Sequence, residues 1–234
     1  MNTDATPLED GFDFLVDKRL QHRLLNGAEE KTIDAQKWAA ARRSLRLLLD
    51  DTEGRDLVAR FCHACQAEIP EVGDFPNRAL YFHLKKDIQG FFPGAAHGTA
   101  IAELAEGLVA DLPTPHLLQR ITDMQWAATL MVALPTLRLK QLGSTRGDLT
   151  VDALLTWQPG LAQASTGTDA RWRLRLERSV DRYITCRDQL VTHNLRLVQS
   201  VARGQQHRGI PLPDLIQEGT IGLIRAAEKF DWRR

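Results

Sequence analysis

Apolar residues in this chain return every three or four positions through most of its length. No stretch carries the sustained alternation of apolar and polar residues that a half-buried strand needs. This pattern predicts an all-α protein, and proline and glycine cut it into separate helices. From Thr32 or Asp34, both good capping residues, Trp38, Ala41, Leu45, Leu48 and Leu49 recur up to an acidic turn at Asp50 to Gly54. Further helices are predicted from about Arg55 to Ile69, from Asn77 to Gln89, and from Ala100 to Leu112 behind a Thr99 cap. Another runs from His116 to about Leu134, is interrupted by Pro135 and resumes over Leu137 to Leu142, and a short one reaches Trp157 from a Thr150 cap. The first thirty residues are polar, with Phe12, Phe14, Leu15, Leu20, Leu24 and Leu25 as their main apolar points. That is enough for one short amphipathic helix before Asn26-Gly27.

Residues 158–168 read QPGLAQASTGT, the most linker-like composition in the chain. They divide it into a helical N-terminal region at 1–157 and a C-terminal helical domain at 169–234, within the one or two domains that 234 residues allow. A long helical pattern from Asp169 leads into that C-terminal part. The formal charge is zero but uneven: residues 171–234 hold 13 Lys+Arg against 7 Asp+Glu, and residues 1–170 hold 17 against 23. A basic end is expected of a surface lying near phosphates. For residues 1–157 the open readings are a divergent insertion, an autoinhibitory acidic domain over the basic end, and a partner module. No apolar run of about 18 residues and no leader with a cleavage site occur, so no membrane association is expected and the chain is read as cytoplasmic.

Cys62-His63-Ala64-Cys65 is the one pattern that suggests thiol or metal chemistry. A redox pair belongs at a helix start, where the dipole lowers a thiol pKa, whereas these cysteines fall inside a helical pattern and continue the apolar rows of Val58 and Phe61. A structural zinc needs a second ligand pair, and only the scattered His83, His97 and His116 are on offer. Packing is therefore the expected role, with no metal and no cofactor. No Ser/His/Asp order, phosphate loop or carboxylate pair makes a stronger case for an enzyme, and no catalytic residue is assigned.

The segment Leu190 to Trp232 is different, because its residue order points to one function. From Leu190 to Ala202, apolar residues cover one broad side of a helix with Asn194 in their midst. That amide either bonds to the backbone or is held in a pocket for a ligand. Gly204 to Pro213 then supplies turn formers, so two helices form a hairpin. On a helix from Asp214 to Phe230, the positions Leu215, Ile216, Gly219, Leu223, Ala226, Ala227 and Phe230 share one face. The opposite face carries Asp214, Gln217, Glu218, Ile221, Ile224, Arg225 and Glu228. Isoleucines rimmed by polar residues suggest a partner surface. Gly219 on the inner face implies close approach of another helix, since glycine costs a helix interior roughly 1 kcal/mol.

The runs NLRLVQSVA and RGIPLPDLIQEGTIGLIRAAEKFDWRR closely resemble conserved region two of the bacterial sigma-70 family, the subunits that give RNA polymerase its promoter specificity. The resemblance implies a region-two helical hairpin whose second helix docks on the coiled-coil clamp helices of the largest polymerase subunit. It implies that Asp214, Gln217 and Glu218 make polar contacts there, with Thr220, Ile221 and Ile224 on or beside the docking face. Thr220 stands where the family usually has asparagine, and Ile224 where it often has methionine. By the same resemblance, Asn194 and Leu197 help to line a pocket for a flipped base of the non-template promoter strand, and Trp232, Arg233 and Arg234 lie at the DNA. The expected partners are RNA polymerase core and promoter DNA.

In the family this segment runs on into an aromatic-rich helix that melts the promoter, whereas the sequence stops at Arg234. The expectation is that the chain does not complete promoter opening by itself. Beside the initiation subunit therefore stands a rival, a truncated relative that occupies the clamp helices as a decoy without opening DNA.

Overall fold

The computed structural model describes residues 23–88, 98–163, 169–206 and 209–233. The short helix expected before Asn26 falls largely outside them. Among the described residues the fold is all-α, with no strand. Nine α-helices are described among these residues, in order: α1 Gly27–Leu49, α2 Thr52–Ala67, α3 Arg78–Ile88, α4 Gly98–Val109, α5 Thr114–Asp123, α6 Ala128–Gln141, α7 Leu149–Trp157, α8 Ala170–Gln205 and α9 Leu212–Lys229. No helix among them is long and apolar enough to cross a membrane.

The chain divides into two compact units. One is Trp38–Tyr183; the other joins the residues up to Lys37 with Ile184–Arg234. The division differs from a break at 158–168. Part of that stretch is structured, since Pro159–Ala162 form a 3-10 turn that buries Leu161.

In the unit Trp38–Tyr183, α2 packs against α4 and α6, and α7 packs against α3 and α6. Phe61 of α2 meets Trp126 edge to face, with ring centroids 5.6 Å apart. Cys62 and Cys65 lie in the same core, fully buried, and burial pushes both thiols well above the usual range. No group of three or more His, Cys, Asp or Glu among the described residues could hold a metal ion. Asp51 has two roles. Its carboxylate caps α2 by accepting from the Gly54 N–H at 3.1 Å, and it pairs with the fully buried Arg138 of α6, Nε to Oδ2 2.9 Å. At the two ends of this unit, Ser44 of α1 and Ser179 of α8 both donate to Ala40 O, at 3.0 and 3.1 Å.

Several helix limits depart from expectation. Helix α1 begins at Gly27: Asn26 Oδ1 accepts from the Ala28 and Glu29 N–H groups at 3.0 and 2.9 Å, and Glu29 Oε2 accepts from the Asn26 N–H at 2.9 Å. Thr32 and Asp34 are interior residues, and Thr32 Oγ1 donates to Ala28 O. Thr99 lies inside α4, and Asp148 rather than Thr150 caps α7. The break in the His116–Leu142 stretch comes at Met124–Ala127, where Gln125 adopts a left-handed φ of 54°, while Pro135 sits inside an unbroken α6.

Candidate functional site

The candidate surface lies in the other unit, on the C-terminal part of α8 and on α9. Pro211 precedes α9 and Pro213 occupies its first turn, where the missing N–H would be unmet in any case. Asp214 in that turn complements the positive end of the helix. The two helices come together over Leu190, Val191 and Ala227, all buried, with Leu25, Ile33, Leu195, Leu223 and Ile224 packed around them. Gly219 makes the approach possible: a Cβ there would stand 2.6 Å from Cγ1 of Val198. Gly222 has no such constraint, since a Cβ on it would meet nothing within 4 Å.

Facing away from this contact, Asp214, Gln217, Glu218 and Ile221 are exposed, Ile221 by 48%. Ile224, expected on the same free face, is half-buried against the Leu190 cluster and serves the core of the unit. Thr220 is half-buried, and its hydroxyl donates to Ile216 O at 2.7 Å. Arg225 and Glu228 are likewise half-buried. They pair at 3.1 Å, and Glu228 also meets Arg187 of α8 at 3.4 Å. The periodicity placed these residues outside because it assumed that one neighbouring helix covers one narrow stripe. Contacts from α1 and α8 cover more of α9 than that.

Asn194 Nδ2 donates to Leu190 O at 2.9 Å, the backbone bond that an asparagine in an apolar row requires. It also lines a shallow pocket of about 140 Å³ together with Glu30, Leu190, Leu223, Ala226, Ala227 and Phe230. Ala226 and Phe230, expected on the packed face, are exposed at this pocket. Leu197 is 60% exposed and is not among the lining residues. Trp232 is 41% exposed beyond the end of α9. Arg233 is exposed, and its guanidinium spans both oxygens of Asp231, with Nε and Nη2 each at 2.7 Å. Arg234 lies outside the described residues.

Two residues hold this end of α9: Lys37, which the sequence did not single out, and Asp34, which it offered only as a helix cap. Lys37 and Asp34 of α1 form a fully buried ion pair, Nζ to Oδ1 2.6 Å. Lys37 Nζ donates to Ala227 O at 2.7 Å and to Phe230 O at 2.8 Å, and Asp34 Oδ2 accepts the Trp232 N–H at 3.0 Å. A signal for them exists in the sequence. Positions 34, 37, 41, 44 and 48 form one row at alternating spacings of three and four, and all are fully buried. Two opposite charges in that row could be buried only as a pair.

Residues 190–234 match the family described as Sigma-70 region 2. The chain is 41% identical over 120 residues to the RNA polymerase principal sigma factor HrdC of Streptomyces coelicolor, an alignment covering 50% of this chain and 33% of HrdC. It is 44% identical over 71 residues to the RNA polymerase sigma factor SigA1 of Synechococcus elongatus, covering 27% and 18% of the two chains. With the RNA polymerase sigma factor SigA of Synechocystis it shares 60% identity over 45 residues, covering 19% and 11%. The matched part therefore spans a third or less of the length of these curated relatives. No solved structure matches the chain. The alignment with HrdC is too long to be contained in residues 190–234, so the likeness extends beyond the family segment.

The helical hairpin of the C-terminal segment is thus the part of the chain that is similar to sigma-70 region 2. Through that segment the chain is related to the sigma-70 family of RNA polymerase sigma factors.

Proposed function

We propose that the chain acts in transcription initiation as a non-enzymatic, cytoplasmic subunit of the sigma type. It docks on the clamp helices of RNA polymerase core through α9 and contributes to recognition of the promoter −10 element. The observation that carries this reading is the exposed row Asp214, Gln217, Glu218 and Ile221, three polar groups beside one apolar side chain that is half in water. A solvent-facing helix surface has no use for Ile221 there, whereas a partner helix does. In this role Thr220 and Ile224 shape the docking surface from beneath. Asn194, Leu197 and Trp232 present one polar and two apolar groups to bases, and Arg233 and Arg234 supply positive charge near the backbone phosphates. The supporting facts are the family match over 190–234 and the printed descriptions of the relatives.

The test is binding of the full chain to an isolated clamp-helix fragment of RNA polymerase, wild type against Gln217→Ala and Glu218→Lys. Charge reversal at a contact of this kind is expected to weaken binding by about 2 kcal/mol or more. Tight binding that is insensitive to both substitutions, or no binding at all, would overturn the assignment of α9 as the docking helix.

A further inference from the structure

The buried pair on α1 does more than fill space. Asp34 and Lys37 are one turn apart and fully buried, and between them they bond three backbone groups of a single short stretch: Ala227 O, Phe230 O and the Trp232 N–H. Lys37 Nζ also stands 6.0 Å from the centroid of the Phe230 ring. The last turn of a helix leaves carbonyls without intrahelical partners, and its dipole favours a cation there. Even so, a lysine is a costly residue at this place. Burial pushes its ammonium below the ordinary lysine range, and Asp34 opposes that shift. An apolar pair of similar volume would pack α1 against α9 without desolvating two charges. What the charged pair adds is direction, because hydrogen bonds fix the orientation of the carbonyls and the amide, which apolar contact does not.

We propose that Asp34 and Lys37 are positioning residues that hold the Phe230–Trp232 turn, so that the Trp232 indole presents a fixed stacking face to single-stranded DNA. The proposal rests on the reading of Trp232 as a DNA contact. Neither Asp34 nor Lys37 reaches the nucleic acid. They act through the backbone of residues 227, 230 and 232, and the indole is left 41% exposed above an anchored amide. A base stacks productively only on a ring that is already held in place, because ordering a mobile side chain subtracts from the affinity.

The test uses the full chain labelled with 5-fluorotryptophan and observed by 19F NMR, with the Trp232 resonance assigned by its loss in Trp232→Phe. The double variant Asp34→Ala/Lys37→Met removes the charges and the hydrogen bonds without adding volume to the buried site. It is expected to retain its helical content, to shift the Trp232 resonance toward that of the free amino acid and sharpen it, and to weaken binding of a labelled single-stranded −10 oligonucleotide by about fivefold to tenfold. Combined with Trp232→Ala, it should weaken binding no further than Trp232→Ala alone. An unchanged Trp232 resonance in the folded double variant would overturn the proposal. A shifted resonance, with DNA affinity unaltered both there and in Trp232→Ala, would support the positioning and sink the reading of Trp232 as a DNA contact. Should the double variant not fold, Asp34→Asn is read in the same way. The amide puts an NH2 donor in place of one carboxylate oxygen, facing either the Lys37 ammonium or the Trp232 N–H, so one bond of the anchor is lost in either orientation and an unchanged resonance there is equally fatal.

Discussion

Gly219 and Val198 are in such close register that a methyl group on the glycine would overlap a valine methyl, at 2.6 Å from Cγ1. The hairpin that carries the sigma-like segment therefore depends on a missing side chain at this point. Gly219→Ala is expected to destabilise its unit by about 1–3 kcal/mol, because the β-branched Val198 has little rotamer freedom with which to move aside. Val198→Ala in the same chain should recover part of the loss. Gly222→Ala, which meets open space, should stabilise by up to about 1 kcal/mol through helix propensity alone. Urea unfolding of the three variants measures all of this.

Ile221 and Ile224, three residues apart, are predicted to respond oppositely to charge. Ile221→Asp leaves the fold intact, since the side chain is already half in water, and abolishes binding to the clamp-helix fragment. Ile224→Asp buries a carboxylate beside Leu190 and Ala227 and lowers stability by about 2–4 kcal/mol before any binding is considered. Circular dichroism melts beside the binding assay separate the two.

The Glu29 carboxyl is held down to about 2 by the Arg23 guanidinium, with the Asn26 N–H adding to the effect. A folded-state pKa below the unfolded value means that this contribution to stability is present at neutral pH and disappears as pH falls from the ordinary carboxylate range toward 2. Side-chain 13C titration should place the Glu29 midpoint well below that of an ordinary glutamate, and Arg23→Met should move it upward. An unchanged midpoint in that variant would remove Arg23 as the principal cause.

In the unit Trp38–Tyr183, Arg138→Met strands the Asp51 carboxylate, only 14% exposed, without its buried partner. The expected cost is about 2–4 kcal/mol. Asp51→Ala loses the α2 cap and also removes the carboxylate that Arg138 Nε bonds, so it should be no milder. Thermal unfolding gives the comparison.

The thiols of Cys62 and Cys65 should stay unreactive toward an aromatic disulfide reagent at pH 8 and react only as the chain unfolds, because both are fully buried and neither approaches the thiolate form. Rapid labelling of the native chain would contradict the packing assigned to them.

The helices were legible in the sequence because each apolar row is local, so helical patterns over Leu190 to Ala202 and Asp214 to Phe230 could be read from spacing alone, and the second forms over Leu212–Lys229. The close approach at Gly219 was legible for a related reason, since a glycine inside a helix demands a packing cause. Helix ends were less so. Thr32 and Asp34 are good caps by type, yet Asn26 and Glu29 form the capping box that starts α1, and Pro135 looks like an interruption although the left-handed residue is Gln125. What the sequence hid most completely was any relation between distant segments. Nothing near Lys37 marks Ala227 and Phe230 as its acceptors, and nothing near Ile224 says that the α1 residue Ile33 also packs against the cluster that half-buries it.

The bonds from Ser44 and Ser179 to Ala40 O have a kinetic reading. The Ser179 bond ties the two ends of the unit Trp38–Tyr183 together, and the residues adjoining those ends, Lys37 and Ile184, belong to the sigma-like unit. In an unfolded chain Lys37 must find a carbonyl 190 positions away, a slow search through a long loop. Once the intervening helices have folded, the same search is made across a gap that is already closed. The folded helices between Trp38 and Tyr183 thus act as a short staple, which spares Lys37 and its acceptors most of the entropy of closing a long loop.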